Sequence, residues 1–223
     1  MLWKKPENER RAFQTDFDLM SFGLDGIEAL FPKELSEQRK GRLRDGLKQF
    51  HTAKTYTDFY SSGQPPYFLQ GDLIAELRFP YWDGAERNYD KMYFNVVLIS
   101  NSCDSDETNQ SQRGISKQVL VAKLVTLSDF KEGLTKHNVE NSESILNSLK
   151  NQEHSNLMYF PMINGQEYIA VLDEISWITN EELNNLKGDI KNNRLASLEL
   201  FGYYLFIFKL SYHLCRLPEE IER

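Results

Sequence analysis

The apolar run Val96-Val97-Leu98-Ile99 stops abruptly at Ser100-Asn101-Ser102-Cys103-Asp104-Ser105-Asp106. The end of a buried strand is where a fold can hold reactive groups rigidly and still expose them. Here Ser100, Cys103 and Asp104 put a hydroxyl, a thiol and a carboxylate within one turn. The same residues are turn formers whose side chains bond the backbone, with Cys103 as a small apolar plug. No sequence neighbour would activate the Cys103 thiol, so a thiolate nucleophile needs a distant His or Lys.

Other chemistries find less support. The histidines His51, His137, His154 and His213 include no pair at the spacing of helix-borne metal ligands, and the two cysteines, Cys103 and Cys215, stand far apart with no Cys-X-X-Cys. Neither a metal centre nor a disulfide framework is expected. The phosphate-binding and hydrolase signatures GxGxxG, GxxxxGK[ST], HExxH and GxSxG are missing from the sequence, so no cofactor is expected either. The one basic run, Arg39-Lys40-Gly41-Arg42-Leu43-Arg44-Asp45-Gly46-Leu47-Lys48, could meet phosphate. Against this stands a formal net charge of −7, and residues 67–223 hold 15 basic and 23 acidic side chains. That balance opposes approach of a polyanion and disfavours nucleic acid as the partner.

These side chains need elements to position them, and the pattern of apolar residues supplies an α+β arrangement. Over residues 1–65, Phe17, Met20, Ile27, Leu30, Phe31, Leu35, Leu43, Leu47 and Phe50 recur in threes and fours, which predicts a helical N-terminal region broken at Pro32. Ser61-Ser62-Gly63-Gln64-Pro65-Pro66 reads as a connector, placing a boundary near 65 and a second domain over 66–223. There the period changes to two: Leu73, Ala75, Leu77 and Phe79 share one side of a strand, Glu76 and Arg78 the other. Further strands are expected at Tyr93–Ile99, Val119–Val125, Leu157–Phe160, Tyr168–Leu172 and Ile175–Ile178, with turns at Asp83-Gly84 and Asn164-Gly165. Five or more short strands predict a small barrel or a strongly bent antiparallel sheet.

Residues 127–155 read as a helical insertion, and Thr179-Asn180-Glu181-Glu182 fits a capping box that starts another helix. Residues 194–217 predict a long C-terminal helix with two apolar seams, so Phe201, Leu205, Phe208 and Leu210 should be mostly buried. The barrel, the N-terminal helices or a second copy in a homodimer would cover it. Glu199 and Lys209 leave only Leu200–Phe208 uncharged, well short of the roughly 18 to 20 residues a membrane span needs. The charged N-terminus does not resemble a secretory leader, and a cytoplasmic protein is expected.

Taken in order, Gly71-Asp72 opening a strand, the strand end Val96–Asn101, the strand Val119–Val125, the stretch Ile169–Ile175 and Arg194-Leu195 entering the terminal helix resemble the MazF/PemK-type toxin barrels. Ser100-Asn101-Ser102-Cys103-Asp104 is also similar to a Ser-X-X-Cys-Asp strand-end signature of uncharacterised bacterial proteins associated with mobile elements and defence. The likeness spans about residues 69–217. It implies an SH3-like (MazF/PemK-like) small β-barrel, in which Asp72 matches the opening Gly-Asp and Ser100 the serine at the strand end.

In those toxins the fold implies metal-independent endoribonuclease activity that uses an arginine and a nearby hydroxyl or carboxylate. Where the family pattern reads Arg-Pro, this chain has Tyr93-Phe94-Asn95, so Arg87 or Lys91 would have to substitute. A phosphoryl transition state needs such a positioned cation. The sequence therefore favours a non-enzymatic binding or regulatory component of a bacterial defence or toxin-antitoxin-like system. Its expected partner is a protein or a small ligand, met through Ser100, Asn101, Ser102, Cys103, Asp104, Asp106 and Asp72. The alternative is the endoribonuclease, with Ser100 and Arg87 or Lys91 as catalytic residues.

Overall fold

A computed structural model describes residues 36–38, 40–41, 59–63, 65–83, 88–102, 118–186 and 190–215, with backbone alone at 80–83, 88–91, 191 and 215. The chain divides into two units, Met1–Thr52 and Ala53–Arg223. The helical region expected over 1–65 lies almost wholly outside the described residues. Phe59, Tyr60 and Ser61, ahead of the Ser/Gly/Pro connector, already belong to the second unit. The Ser61 N–H donates to the Ser197 carbonyl, the Glu199 N–H to the Phe59 carbonyl, and Tyr60 bridges Leu198.

The second unit is built on a six-stranded sheet in the order β4-β5-β3-β2-β1-β6, antiparallel at every pairing and curled into a half-barrel. The strands are β1 (Leu73–Asp83), β2 (Asn88–Leu98), β3 (Gln118–Thr126), β4 (Leu157–Ile163), β5 (Gln166–Thr179) and β6 (Arg194–Ala196). Helices α1 (Leu127–Lys136) and α2 (Ser142–Lys150) form the expected insertion between β3 and β4. Short helices α3 (Asn180–Asn185) and α4 (Ile190–Asn193) precede β6, and α5 (Leu200–Cys215) closes the described chain.

Local chemistry explains most of these boundaries. Asn164 and Gly165 join β4 to β5 with φ of 51° and 85°, the left-handed pair a two-residue hairpin turn needs. Thr179 and Glu182 form the reciprocal capping box: the Glu182 N–H donates to Thr179 Oγ1 and the Thr179 N–H to Glu182 Oε2, each at 3.1 Å. Thr126 caps α1 by accepting the Asp129 N–H at 3.0 Å.

Among the described residues two apolar clusters are buried. Ile74, Leu77, Phe79, Val96, Leu98, Val119, Val121 and Ile178 of the sheet pack together with Leu183 of α3 and Ile190 of α4. Leu149, Tyr159 and Ile169 form the second, with Val125, Leu127, Phe130 and Leu157 packed against it.

Two expectations are corrected. The segments 168–172 and 175–178 are one 14-residue strand, β5. The polar Asp173-Glu174 between the two expected strands lies where pairing with β3 shifts register between Ala122 and Lys123. Residues 194–198 do not begin the terminal helix. They run extended, with Leu73 opposite Ala196 and Ile74 opposite Arg194, because Arg194 is drawn to the interior.

That interior contact is an ion pair. Arg194 Nε lies 2.9 Å from Asp72 Oδ2, and both side chains are out of contact with solvent. Arg194 Nη1 donates to the Pro65 carbonyl at 2.9 Å and Nη2 to the Tyr67 carbonyl, while the guanidinium stacks 5.2 Å from the Phe68 ring centre. Asp72 Oδ2 also accepts the Leu69 N–H at 2.9 Å. Burial raises the Asp72 pKa, opposed by the Leu69 hydrogen bond and the Arg194 charge.

Leu205, Phe206 and Leu210 of α5 are buried, whereas Phe201 and Phe208, expected to be buried, are only half so. Gly202 allows α5 to approach the Phe59 segment, since a Cβ there would fall 2.5 Å from the Phe59 carbonyl oxygen. Lys209 is buried on the same helix and donates to the Gln152 carbonyl. Gln152 in turn clamps β4, its Oε1 accepting the Tyr159 N–H at 3.1 Å and its Nε2 donating to the Tyr159 carbonyl. Burial lowers the Lys209 pKa to about 8, partly opposed by Glu153.

Two predictions follow from these buried charges. Arg194→Met strands the Asp72 carboxylate and the Pro65 and Tyr67 carbonyls, and should cost about 3–5 kcal/mol in denaturant unfolding. Lys209 titrates near 8 when folded and near 10.5 when unfolded, so the unfolded chain binds more protons between those values. Stability should therefore rise with pH across that window. By the size of the shift the gain is about 3 kcal/mol, and Lys209→Met should remove this component, as denaturant midpoints measured from pH 7 to 10.5 would reveal.

Candidate functional site

The start of the strand-end loop, Ser100–Ser102, is held by hydrogen bonds to backbone. β2 and β3 pair only from Asn95 opposite Leu124 to Leu98 opposite Val121. Just past that pairing, the Ile99 N–H and the Ser100 N–H both donate to the Leu120 carbonyl, at 2.9 and 3.2 Å. The Ser100 hydroxyl accepts the Leu120 N–H at 2.8 Å, and the Ser102 hydroxyl accepts the Gln70 N–H at 2.9 Å. Gln70 works as a strap: its Nε2 donates to the Ile99 carbonyl at 2.6 Å and its Oε1 accepts the Tyr203 hydroxyl of α5 at 3.0 Å. Burial raises the Tyr203 pKa, which keeps that phenol a donor.

Of the residues proposed from sequence, Ser100, Asn101 and Ser102 are brought together here, with Asn101 exposed. Cys103, Asp104 and Asp106 lie outside the described residues, as does Arg87. Lys91 sits in β2 opposite Pro80. Asp72 is corrected from a contact residue to an internal one. It is 0% exposed and bound to Arg194, so its carboxylate cannot reach a ligand at the surface. Its backbone still serves the loop: the Leu98 N–H donates to the Asp72 carbonyl at 2.9 Å, and the Gly71 N–H to the Leu98 carbonyl at 2.8 Å.

Sequence reasoning missed what flanks the loop. Leu120, whose backbone holds Ser100, is 46% exposed, and its cross-strand partner Trp177 is 50% exposed. Their neighbours Val119, Val121 and Ile178 point inward. A strict alternation through Val119-Leu120-Val121 would have put Leu120 outside, but an unbroken apolar run conceals that signal.

Among the described residues, the histidines engage partners away from Ser100–Ser102. His154 Nε2 is 2.7 Å from the Ser148 hydroxyl, its pKa lowered by burial and by Lys209. His213 Nε2 lies 3.4 Å from Asp173 Oδ1. Among the described residues no group of three or more His, Cys, Asp or Glu could hold a metal ion, and no helix is long and apolar enough to cross a membrane. No family model matches the chain, and comparison with curated proteins gives no match.

Ser100→Ala and Ser102→Ala should each cost about 1 kcal/mol, the usual worth of one hydrogen bond. They should also accelerate amide hydrogen exchange selectively, at Leu120 for the first and at Gln70 for the second.

Proposed function

We propose that this chain is a non-enzymatic binding or regulatory component of the kind bacterial defence and toxin-antitoxin-like systems use. On this reading its partner, a protein or a small ligand, meets the surface that begins at Ser100–Ser102 and continues over Leu120 and Trp177. One observation carries it. The hydroxyls of Ser100 and Ser102 are engaged as acceptors for backbone N–H groups, which spends them on loop shape beside an exposed aliphatic–aromatic pair. Backbone held at Ser100–Ser102 next to a Trp is an arrangement suited to recognition, because that part needs no further ordering and a large ring is available to bury.

The MazF/PemK-like, SH3-like character of the sheet is the fold-level part of the same proposal. It rests on the order of sequence features and agrees with a curled antiparallel sheet carrying a helical insertion. Fold does not fix function, and the acidic balance together with Tyr93-Phe94-Asn95 in place of an arginine supports binding over RNA cleavage.

The test has two arms. Purified protein incubated with single-stranded RNA in chelator should give no cleavage. Titration with a partner purified from co-isolation should give defined stoichiometry in calorimetry, and Trp177→Ala should weaken it about tenfold or more while the thermal midpoint moves little. Cleavage that vanishes in Ser100→Ala would instead establish the endoribonuclease, and unchanged affinity in Trp177→Ala would remove this surface from the interface.

A further inference from the structure

β2 and β3 separate at the end of their pairing opposite to the Ser100 loop. Beyond Asn95 opposite Leu124, β2 continues with β1 as far as Asn88 opposite Asp83, whereas β3 turns away with β5, Val125 facing Ile169 and Thr126 facing Tyr168. The divergence opens a cleft of about 320 Å³, with Tyr93, Phe94 and Asn95 on one wall and Val125, Thr126 and Asp129 on the other. Among the described residues no strand pairs with β2 on this side above Asn95.

The charges on the cleft are unequal. Glu76 projects from a bulge in β1, where the register shifts between Ile74 and Leu77 and its own φ is 48°. Its N–H is fixed by Asn95 Oδ1 at 3.1 Å. Asp129, in the first turn of α1, lines the same cleft. The cation on the cleft, Lys123, is already engaged, 2.8 Å from Glu174 Oε2 and 4.6 Å from the centre of the Phe94 ring. Among the described residues neither Glu76 nor Asp129 has an ion-pair partner. Tyr93, at 70% exposure, presents its ring at the mouth.

We propose that this cleft receives an extended segment of another protein, added as a strand to the open edge of β2, with a Lys or Arg side chain placed between Glu76 and Asp129. A strand edge selects a backbone, since its N–H and C=O groups need partners along a line. The two carboxylates select a cation, and Tyr93 covers its alkyl stem or charge. This site lies at the far end of the β2–β3 pairing from Ser100 and stands or falls separately from the function proposed above.

The test is an amide NMR titration of the full chain with an acetylated, amidated seven-residue peptide, Thr-Val-Thr-Lys-Thr-Val-Thr. Two controls accompany it: the same peptide with Glu for Lys, and one N-methylated at alternate residues. The Lys peptide should shift the amides of Tyr93, Asn95 and Val125, and the Glu peptide should bind roughly tenfold more weakly or not at all. Two surface ion pairs are lost in Glu76→Gln combined with Asp129→Asn, which should weaken the Lys peptide about five- to tenfold. The N-methylated peptide should fail, because it cannot form the ladder. Equal binding of the N-methylated and parent peptides would overturn strand addition in favour of a small-cation pocket. No shift with any peptide, or concentration-dependent shifts of the same amides without peptide, would overturn the proposal, the latter by showing that a second copy occupies the edge.

Discussion

One arginine ties the sheet unit together. Arg194 meets Asp72 at the head of β1, the carbonyls of Pro65 and Tyr67 in the strap before it, and the ring of Phe68 beneath it. Each contact fixes a different piece of backbone, and the planar fork of a guanidinium can serve them at once where an ammonium could not. Replacing both charges by apolar groups could leave stability little changed, since burying ions is itself costly. What the pair adds is position: it draws residues 194–198 extended along β1, and β6 then sets where α5 begins. Because α5 carries the Tyr203 hydroxyl that reaches Gln70, the geometry of the Ser100 loop depends on this ion pair through one further link.

The two surfaces of interest share a cause in the short pairing of β2 with β3. Four register positions hold these strands together. At one end the chain leaves the ladder and its polar side chains bond the backbone, which makes a fixed loop. At the other the strands follow different neighbours and part, leaving a cleft lined by aromatic, polar and acidic side chains. Sheet curvature generates both, through the register shifts in β1 and between β3 and β5.

Local chemistry was legible in the sequence wherever it was also the cause. The Asn164-Gly165 turn, the Thr179–Glu182 box and the insertion at 127–155 depend on residues near one another, and each stands where its pattern placed it; the period-two reading of β1 is broken by the bulge between Ile74 and Leu77, so that Ile74 joins Leu77 and Phe79 in the core. The misreadings share the opposite property. Arg194-Leu195-Ala196 is extended because of a carboxylate far along the chain, and no local pattern records that. Asp72 sits in a Gly-Asp pair that resembles an exposed turn, yet its side chain points inward to an arginine the sequence does not mark as its partner. Trp177 is apolar and in a strand, so burial is the natural expectation. Its exposure depends on which face of a curled sheet the neighbouring helices leave open.

Arg194 and the Pro65 carbonyl it binds are 129 residues apart. At the usual elongation rates of roughly 5–20 residues per second, some 6 to 26 seconds separate their appearance during synthesis. Once β1 and β2 have been made they can pair with each other, but until β6 follows, the Leu73–Ile74 edge of β1 has no partner strand and Asp72 has no Arg194 to meet. Such an edge is a site for mispairing, and long sequence separation between contacts slows the search that would close it. The last strand to be made thus covers the Leu73–Ile74 edge of β1, and the ion pair that seats Asp72 can form only after it has emerged.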